Sequence, residues 1–321
     1  MVPMRTLVVG CGNIAGRFDA GRLGDWPRTH AGAYTRDGRF ALAACVEPDD
    51  ARRAEFMQSW KVAAGFRSME EAARDKGRFD VISICSPTAS HAHDLRAALG
   101  LQPKLIFCEK PATASAAETA LLVAACREAR VGLAVNYTRR WDPAVADLKQ
   151  SMEEGRWGAL RSVVGYYNKG LMNNGSHMLD LLHLLLGPLR VVHVGKPVED
   201  SFADDPTLPA WLETADGLPV QIACAHAADF AFFELQLVFA GAVIAMEEGG
   251  LYWRERAAAD SAEFAGYRVP GEGVRRPGGY AQAMQRSVDN IFGAIRRRDP
   301  LASTGESALA AQELCEEIRQ S

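Results

Sequence analysis

Several things are missing from this chain, and each absence removes a class of function. No long apolar run is present. The greasiest stretch, residues 178–186, is broken by Asp180 and His183, and a bilayer span needs about 20 apolar residues, so no membrane association is expected. A basic excess is missing as well: 36 Lys and Arg stand against 40 Asp and Glu, a net charge of −4, which argues against a dedicated binder of nucleic acid or anionic membrane. No C-x-x-C pair occurs. The seven cysteines, Cys11, Cys45, Cys85, Cys108, Cys126, Cys224 and Cys315, are odd in number and scattered, several in apolar strand-like runs where a free thiol behaves as a small hydrophobe. That fits a reducing compartment better than a disulfide scaffold. The opening apolar run is too short for a signal segment and breaks at glycine, so a cytoplasmic location is expected. Internal repeats and low-complexity tracts are lacking too.

What remains is an ordinary globular mix, 48% hydrophobic and 24% charged over 321 residues, long enough for roughly two domains of 100–200 residues. Short apolar runs at 5–10, 40–46, 79–85, 104–108 and 131–135 read as strands buried on both faces. They alternate with helical stretches at 49–59, 68–76, 89–99 and 115–129. Such alternation implies a doubly wound parallel sheet of βαβ units over residues 1–135. After residue 136 the texture changes. A helix at 142–154 leads into strands at 160–168, 190–195, 209–214, 219–226, 231–239, 242–247 and 250–255, in an order that suggests a large, mostly antiparallel open sheet. A helix at 176–186 interrupts them, with Ser176 as its expected cap and Gly187-Pro188 as its stop. Residues 257–278 read as a surface loop, and helices return at 280–298 and 305–319. The expected fold is α/β, with a Rossmann domain at 1–135 and a substrate-binding and oligomerisation domain at 136–321.

The first strand ends in Gly10-Cys11-Gly12-Asn13-Ile14-Ala15, a G-x-G-x-x-A fingerprint in the strand–turn–helix setting that dinucleotide binding requires. The first glycine permits the tight turn, the second a close approach of backbone to pyrophosphate, and the small third residue close packing. The phosphates are expected on the N-terminus of the following helix. Glu47 ends the second strand, where a carboxylate accepts from the adenosine ribose hydroxyls and repels a 2′-phosphate. NAD(H) is therefore expected over NADP(H), although Arg52 and Arg53 lie close by. The spacing from fingerprint to acid exceeds the usual roughly 20 residues, which an extra loop from Asp19 to Thr29 would explain. Ser86, Pro87 and Thr88 follow the third strand at the edge where dinucleotides bind; a plain strand-to-helix turn explains them equally well.

In this order and spacing, Gly10-Cys11-Gly12-Asn13-Ile14, Ser86-Pro87-Thr88 with His91, Glu109-Lys110-Pro111, Asn136-Tyr137, Arg139-Arg140-Trp141, Gly175-Ser176-His177-Met178-Leu179-Asp180 and Thr304-Gly305-Glu306-Ser307-Ala308 resemble the Gfo/Idh/MocA oxidoreductases over nearly the whole chain. The resemblance implies a Rossmann domain, an open-sheet C-terminal domain, NAD or NADP, and a homodimer or homotetramer formed through that sheet. It implies that Lys110 touches the reacting hydroxyl and the nicotinamide ribose, with Glu109 at the cofactor, and that His177 is the catalytic histidine. A lysine there can polarise a carbonyl or steady an alkoxide, Pro111 would fix the turn, with a cis bond as one form, and a neutral imidazole can act as general base. Many members carry an aspartate four residues before that histidine. Here the position is Asn173, which cannot take a proton at neutral pH but can hydrogen-bond a polyol. The Asn173-Asn174-Gly175-Ser176-His177 form resembles members linked to surface-polysaccharide sugars. Tyr137, Arg140, Tyr167, Lys169, Asn173 and Asn174 complete the expected substrate contacts.

No metal site is expected. His91 and His93 are two apart, which points their rings away from one another on a helix, and His177 and His183 lack a third ligand. Arg296–Arg298 read as a solvated helix end. The expected function is NAD(H)-dependent hydride transfer to or from a secondary alcohol carbon of a sugar, sugar nucleotide or polyol. The competing reading is a sensor that binds sugar and dinucleotide without turnover, and a third is a double-bond or imine reductase.

Overall fold

The computed structural model describes residues 2–21, 24–75 and 77–321. Two compact units form, one from the residues up to Trp141 together with Ala281–Leu309, the other from Asp142–Tyr280 with Ala310–Ser321. The expected boundary at 135/136 shifts to Trp141/Asp142, and part of the C-terminal stretch assigned to the second domain returns to the first.

The first unit alternates strand and helix: β1 Met4–Val9, α1 His30–Arg36, β2 Phe40–Val46, α2 Asp50–Trp60, β3 Ala64–Phe66, α3 Met69–Arg74, β4 Val81–Ile84, α4 Thr88–Gly100, β5 Leu105–Cys108, α5 Ala116–Ala129 and β6 Gly132–Val135. The strands pair in parallel in the order β3-β2-β1-β4-β5-β6. This is the doubly wound order of dinucleotide folds, whose direction of growth reverses between β1 and β4 and opens a crevice at the strands' C-terminal ends. β4 and β5 are buried along their whole length, as strands covered on both faces must be.

The helix expected directly after the fingerprint is interrupted. Residues 12–18 form one irregular helical turn, with Gly16 and Arg17 both donating to the Gly12 carbonyl and Phe18 to that of Asn13. The chain then leaves, and α1 resumes where that turn stopped: His30 donates to the Ile14 carbonyl at 3.2 Å and Ala31 to that of Ala15 at 2.9 Å. Bonds that join residues four apart in a continuous helix here span a long excursion. The Asp19 carboxylate closes the excursion's neck, accepting from the Arg28 and Thr29 backbone N–H groups and the Thr29 hydroxyl. The extra loop inferred from the Glu47 spacing is therefore an insertion inside the first helix (Arg22 and Leu23 within it lie outside the described residues).

The second unit comprises α6 Pro143–Glu153, β7 Leu160–Tyr167, a π-helical turn Gly170–Gly175, α7 Ser176–Leu186, β8 Leu189–Val194, β9 Ala210–Thr214, β10 Pro219–Cys224, β11 Phe233–Phe239, β12 Ala242–Glu247, β13 Tyr252–Asp260, β14 Arg268–Pro270 and β15 Val274–Pro277. Two helices end the chain, α8 Ala283–Arg297 in the first unit and α9 Gly305–Gln320. The second sheet runs β14-β13-β12-β11-β7-β10-β9-β8, with β15 also on β13. Its pairs are antiparallel except β7 with β10. Burial alternates along β7, β11 and β12. One face, with Val163, Tyr167, Leu235, Leu237 and Ile244, packs on Leu148 of α6, on α7 residues such as Met178 and Leu182, and on Leu314 and Ile318 of α9. Residues 257–278, expected as a loop, instead extend β13 and add the strands β14 and β15. The exposed arginines and glycines hide strands whose backbone pairing, not a buried side-chain face, holds them to β13. No described helix is long and apolar enough to cross a membrane.

Candidate active site

The fingerprint sits at the β1/β4 switch. Gly10 has φ +82°, and a Cβ there would lie 2.6 Å from the Ser86 nitrogen, so the turn after β1 is pressed against the turn after β4 and only glycine fits. A Cβ on Gly12 would meet nothing within 4 Å. The loop is tight where it meets the protein and open where a ligand's phosphates would approach, with Asn13 exposed and Ile14 half-buried beside it. The N–H groups available are those of an irregular turn rather than of a regular helix start. Glu47, 6% exposed, stands at the tip of β2. One carboxylate oxygen accepts from the Cys11 N–H and the other from the Asp49 N–H, both at 3.1 Å, and an Arg52 nitrogen lies 3.5 Å away. The acid is thus pinned to the fingerprint loop itself. Arg53 turns away to the Glu47 carbonyl and Asp50.

Ser86 donates its hydroxyl to Asp94 at 2.6 Å, and burial holds that carboxyl above its ordinary range. Pro87 is exposed and precedes the start of α4 at Thr88. His91 is buried and ties two loops together: its ring nitrogens lie 2.8 Å from the carbonyl oxygens of Ser86 and Pro111. His93, by contrast, is exposed near Glu70.

The Glu109-Lys110-Pro111 turn follows β5, and the Lys110–Pro111 bond is cis. The Glu109 carboxylate is turned inward. A single oxygen accepts from His30 Nε2 at 2.9 Å and Asn136 Nδ2 at 2.6 Å. Burial alone would raise this carboxyl, but the His30 bond and field, the Asn136 amide and the Lys110 charge outweigh it and hold it below the ordinary range. Behind His30, Nδ1 lies 3.2 Å from Ser83 Oγ, itself 2.8 Å from the Tyr34 hydroxyl. The side chain expected at the cofactor is therefore committed to a buried network. Of its members, Glu109 and Asn136 stood in motifs read from the sequence; His30, Ser83 and Tyr34 did not, although a hydroxyl such as Ser83 in an apolar strand must find a partner.

In the second unit, Ser176 is the first residue of α7 rather than its cap. The π turn runs into it, and the Ser176 hydroxyl sits 3.5 Å from the Asn173 carbonyl without capping the helix. The turn's free N–H groups are satisfied from residues 205–207 instead: Gly170 donates to Thr207, Leu171 to the Pro206 carbonyl, and Met172 and Asn173 to the Asp205 carboxylate. π turns of this kind are frequent at functional sites. Lys169, which precedes the turn, is left-handed at φ 67°. Its N–H is held by Asp200, and its carbonyl accepts from Asn173 Nδ2 at 2.9 Å. Asn174 Nδ2 donates to the Asn168 carbonyl. Lys169, Asn173, Asn174 and half-buried His177 are thereby gathered on one turn and the start of its helix.

Two expected substrate contacts are corrected. Tyr167 is fully buried in the core, its hydroxyl bonded to the Leu208 carbonyl and N–H at 2.7 and 3.0 Å. Tyr137 is 1% exposed in the first unit. Neither presents a surface to a ligand. Arg140 donates to the Ala302 carbonyl at 3.4 Å. Among the described residues no cluster of three His, Cys, Asp or Glu side chains is placed to hold a metal.

Residues 4–137 match the model of an oxidoreductase family with an NAD-binding Rossmann fold, Gfo/Idh/MocA. The chain is 26% identical to inositol 2-dehydrogenase of Rhizobium meliloti strain 1021, over 94% of both chains. It is 27% identical to UDP-N-acetylglucosamine 3-dehydrogenase of Acidithiobacillus ferrooxidans, over 70% of this chain and 68% of that one. The crystal structure of the latter enzyme superposes with a TM-score of 0.75 at 20% identity, over 100% of this chain and 98% of the other, a likeness of fold.

Proposed function

We propose that this chain, which belongs to the Gfo/Idh/MocA family and is an NAD(P)-dependent oxidoreductase acting on CH–OH groups, moves a hydride to or from a secondary alcohol carbon of a sugar, sugar nucleotide or polyol, with NAD(H) preferred. One observation carries the reading. The glycine turn after β1, open at Gly12, the pinned acid after β2 and the Glu109-Lys110-Pro111 turn after β5 all stand at the C-terminal crest of one parallel sheet, where such sheets bind dinucleotides. These residues suit a nicotinamide dinucleotide: Gly10, Gly12, Asn13 and Ile14 with the pyrophosphate, Glu47 with the adenosine ribose, and Ser86, Pro87 and Thr88 along its length. The bound nicotinamide supplies the hydride acceptor or donor.

In this reading Lys110 steadies the oxygen of the reacting carbon as charge develops, and His177 takes up or returns its proton. Asn173 and Asn174 lie on the turn leading into His177, Asn173 as a hydrogen-bonding group that carries no proton relay. Lys169 is our candidate for the substrate's polar groups. The open face of the nine-stranded sheet, with Val164, Tyr166, Val238, Val243 and Ala245 half-buried, is our candidate surface for a homodimer or homotetramer. The free cysteines support a cytoplasmic setting.

The test is the near-ultraviolet absorbance of reduced nicotinamide, followed with NAD across a panel of inositols, free sugars and nucleotide sugars. Growth of the signal with at least one of them is expected. Tight NAD binding with no redox change across the panel would instead favour the sensor reading, to which Asn173 lends some weight.

A further inference from the structure

The mechanism leaves unused a buried polar chain behind Lys110, running from Glu109 through His30 and Ser83 to Tyr34. Glu109 Oε1 is ionised and only accepts, so His30 Nε2 carries a hydrogen toward it. The other ring nitrogen, Nδ1, is held by the Ser83 hydroxyl, which is shared in turn with the Tyr34 hydroxyl. Burial pushes the Tyr34 phenol up, so it stays a neutral donor. The series ends on Glu109 and fixes both nitrogens of the His30 ring, so the donor facing the carboxylate is held in place. Tyr34, Ser83 and His30 are 0% exposed, and α1 delivers His30 only because the helix resumes after its insertion. The ring also packs on Phe107 of β5, centroids 4.4 Å apart, which stops it swinging away.

We propose that His30 is a positioning residue for Lys110: through the Tyr34–Ser83–His30 chain it keeps the neighbouring Glu109 carboxylate ionised and fixed, and with it the charge and aim of the lysine. This rests on the reading that Lys110 acts in turnover. The groups that face Glu109 are His30 from α1, Asn136 after β6, Lys110 beside it, and the thiols Cys85 and Cys108, which burial first and the Glu109 charge second push upward. Removing the His30 donor must raise the Glu109 carboxyl, since the bond to the charged form is what lowers it. Glu109 would then protonate at a pH where it is now ionised, and Lys110 would lose its anionic neighbour there.

The experiment first reads Lys110 without substrate. Amine acylation is measured by peptide mapping against pH, with half-exposed Lys149 in the same sample as the reference. In the natural protein the Lys110 to Lys149 rate ratio is expected to hold steady between about pH 4 and 6. In His30→Leu the ratio should rise several-fold on descending through that range, because a lysine deprived of its carboxylate is less basic. His30→Gln, which returns an N–H donor, should restore the natural profile. With any sugar that turns over, His30→Leu should lower kcat about tenfold, move the acid limb upward, and leave KM for NAD within about twofold; added to Lys110→Ala it should cost nothing further. Should His30→Leu fail to fold, Ser83→Ala decides, with the same direction and a smaller rise. A ratio that stays flat in these variants, or an additive double variant, overturns the proposal. A ratio that moves while no sugar turns over leaves it standing and removes the proposed function instead.

Discussion

At the scale of residues, the assignments divide by what each side chain already holds. Lys110→Ala should reduce turnover by about 10²–10³, the range for losing one group that stabilises developing charge, while the NAD dissociation constant measured by fluorescence titration changes little; a mere fewfold loss would remove Lys110 from the chemistry. If Glu47 selects NAD as proposed, Glu47→Ala should narrow the preference for NAD over NADP by about tenfold or more, because the proposed ribose contact is lost and Arg52 is freed; comparable affinities in the unaltered protein would refute the NAD assignment. The glycine turn, Glu47 and the Glu109-Lys110-Pro111 turn were legible in sequence because each sits at a fixed offset from a strand end. Tyr137 and Tyr167 misled, since an aromatic beside a polar run reads the same whether it lines a site or fills a core. The place of Glu109 after a strand was legible but the direction of its side chain was not, because direction depends on His30, nearly 80 residues away in the chain.

At the scale of elements, the interrupted first helix is the most instructive feature. Sequence spacing exposed the extra residues, but not that they lie within a helix, since His30 and Ile14 meet only in three dimensions. Deleting residues 18–29 should let α1 continue directly from the fingerprint turn, leaving NAD binding and the melting temperature close to natural. Asp19→Ala, which keeps the loop but strands three donors, should cost about 1–3 kcal/mol in urea unfolding. In the second unit, Asp200 plays the matching part for the π turn, accepting from Lys169, Thr207 and Ala227. Burial raises its carboxyl, but these donors prevail and hold it below the usual carboxylate range. A carboxyl depressed in the folded state stabilises above its unfolded pKa of about 3.9 and loses that contribution as pH falls through the lower folded value. Asp200→Asn should therefore be less stable than the natural chain near neutral pH, and the difference should shrink as pH falls below about 4. The capping of the π turn by residues 205–207 escaped sequence reading because the donors and acceptors come from a distant loop, whereas Ser176 matched a local rule that the continuing helix made irrelevant.

For the whole molecule, strand and helix order was readable nearly throughout, because alternating and continuous apolar runs follow directly from one or two covered faces. The return of α8 to the first unit was not, since an amphipathic helix does not announce which sheet it covers. Each unit carries its own core, and Leu237→Ala in the second should cost about 2–5 kcal/mol. Association through the open sheet face predicts a dimer or tetramer by sedimentation velocity, and Val164→Glu with Val238→Glu should yield monomers; a natural chain that sediments as a monomer would discard that interface.

In the proposed reaction a hydrogen passes directly between a carbinol carbon and the nicotinamide. That transfer is followed by supplying a sugar deuterated at the reacting carbon with NAD and recording the reduced cofactor by mass spectrometry and proton NMR. Deuterium is expected on one face of the reduced nicotinamide, together with a slower rate than with the unlabelled sugar. Bound but unlabelled cofactor, or reduction whose hydrogen comes from solvent, would contradict the account.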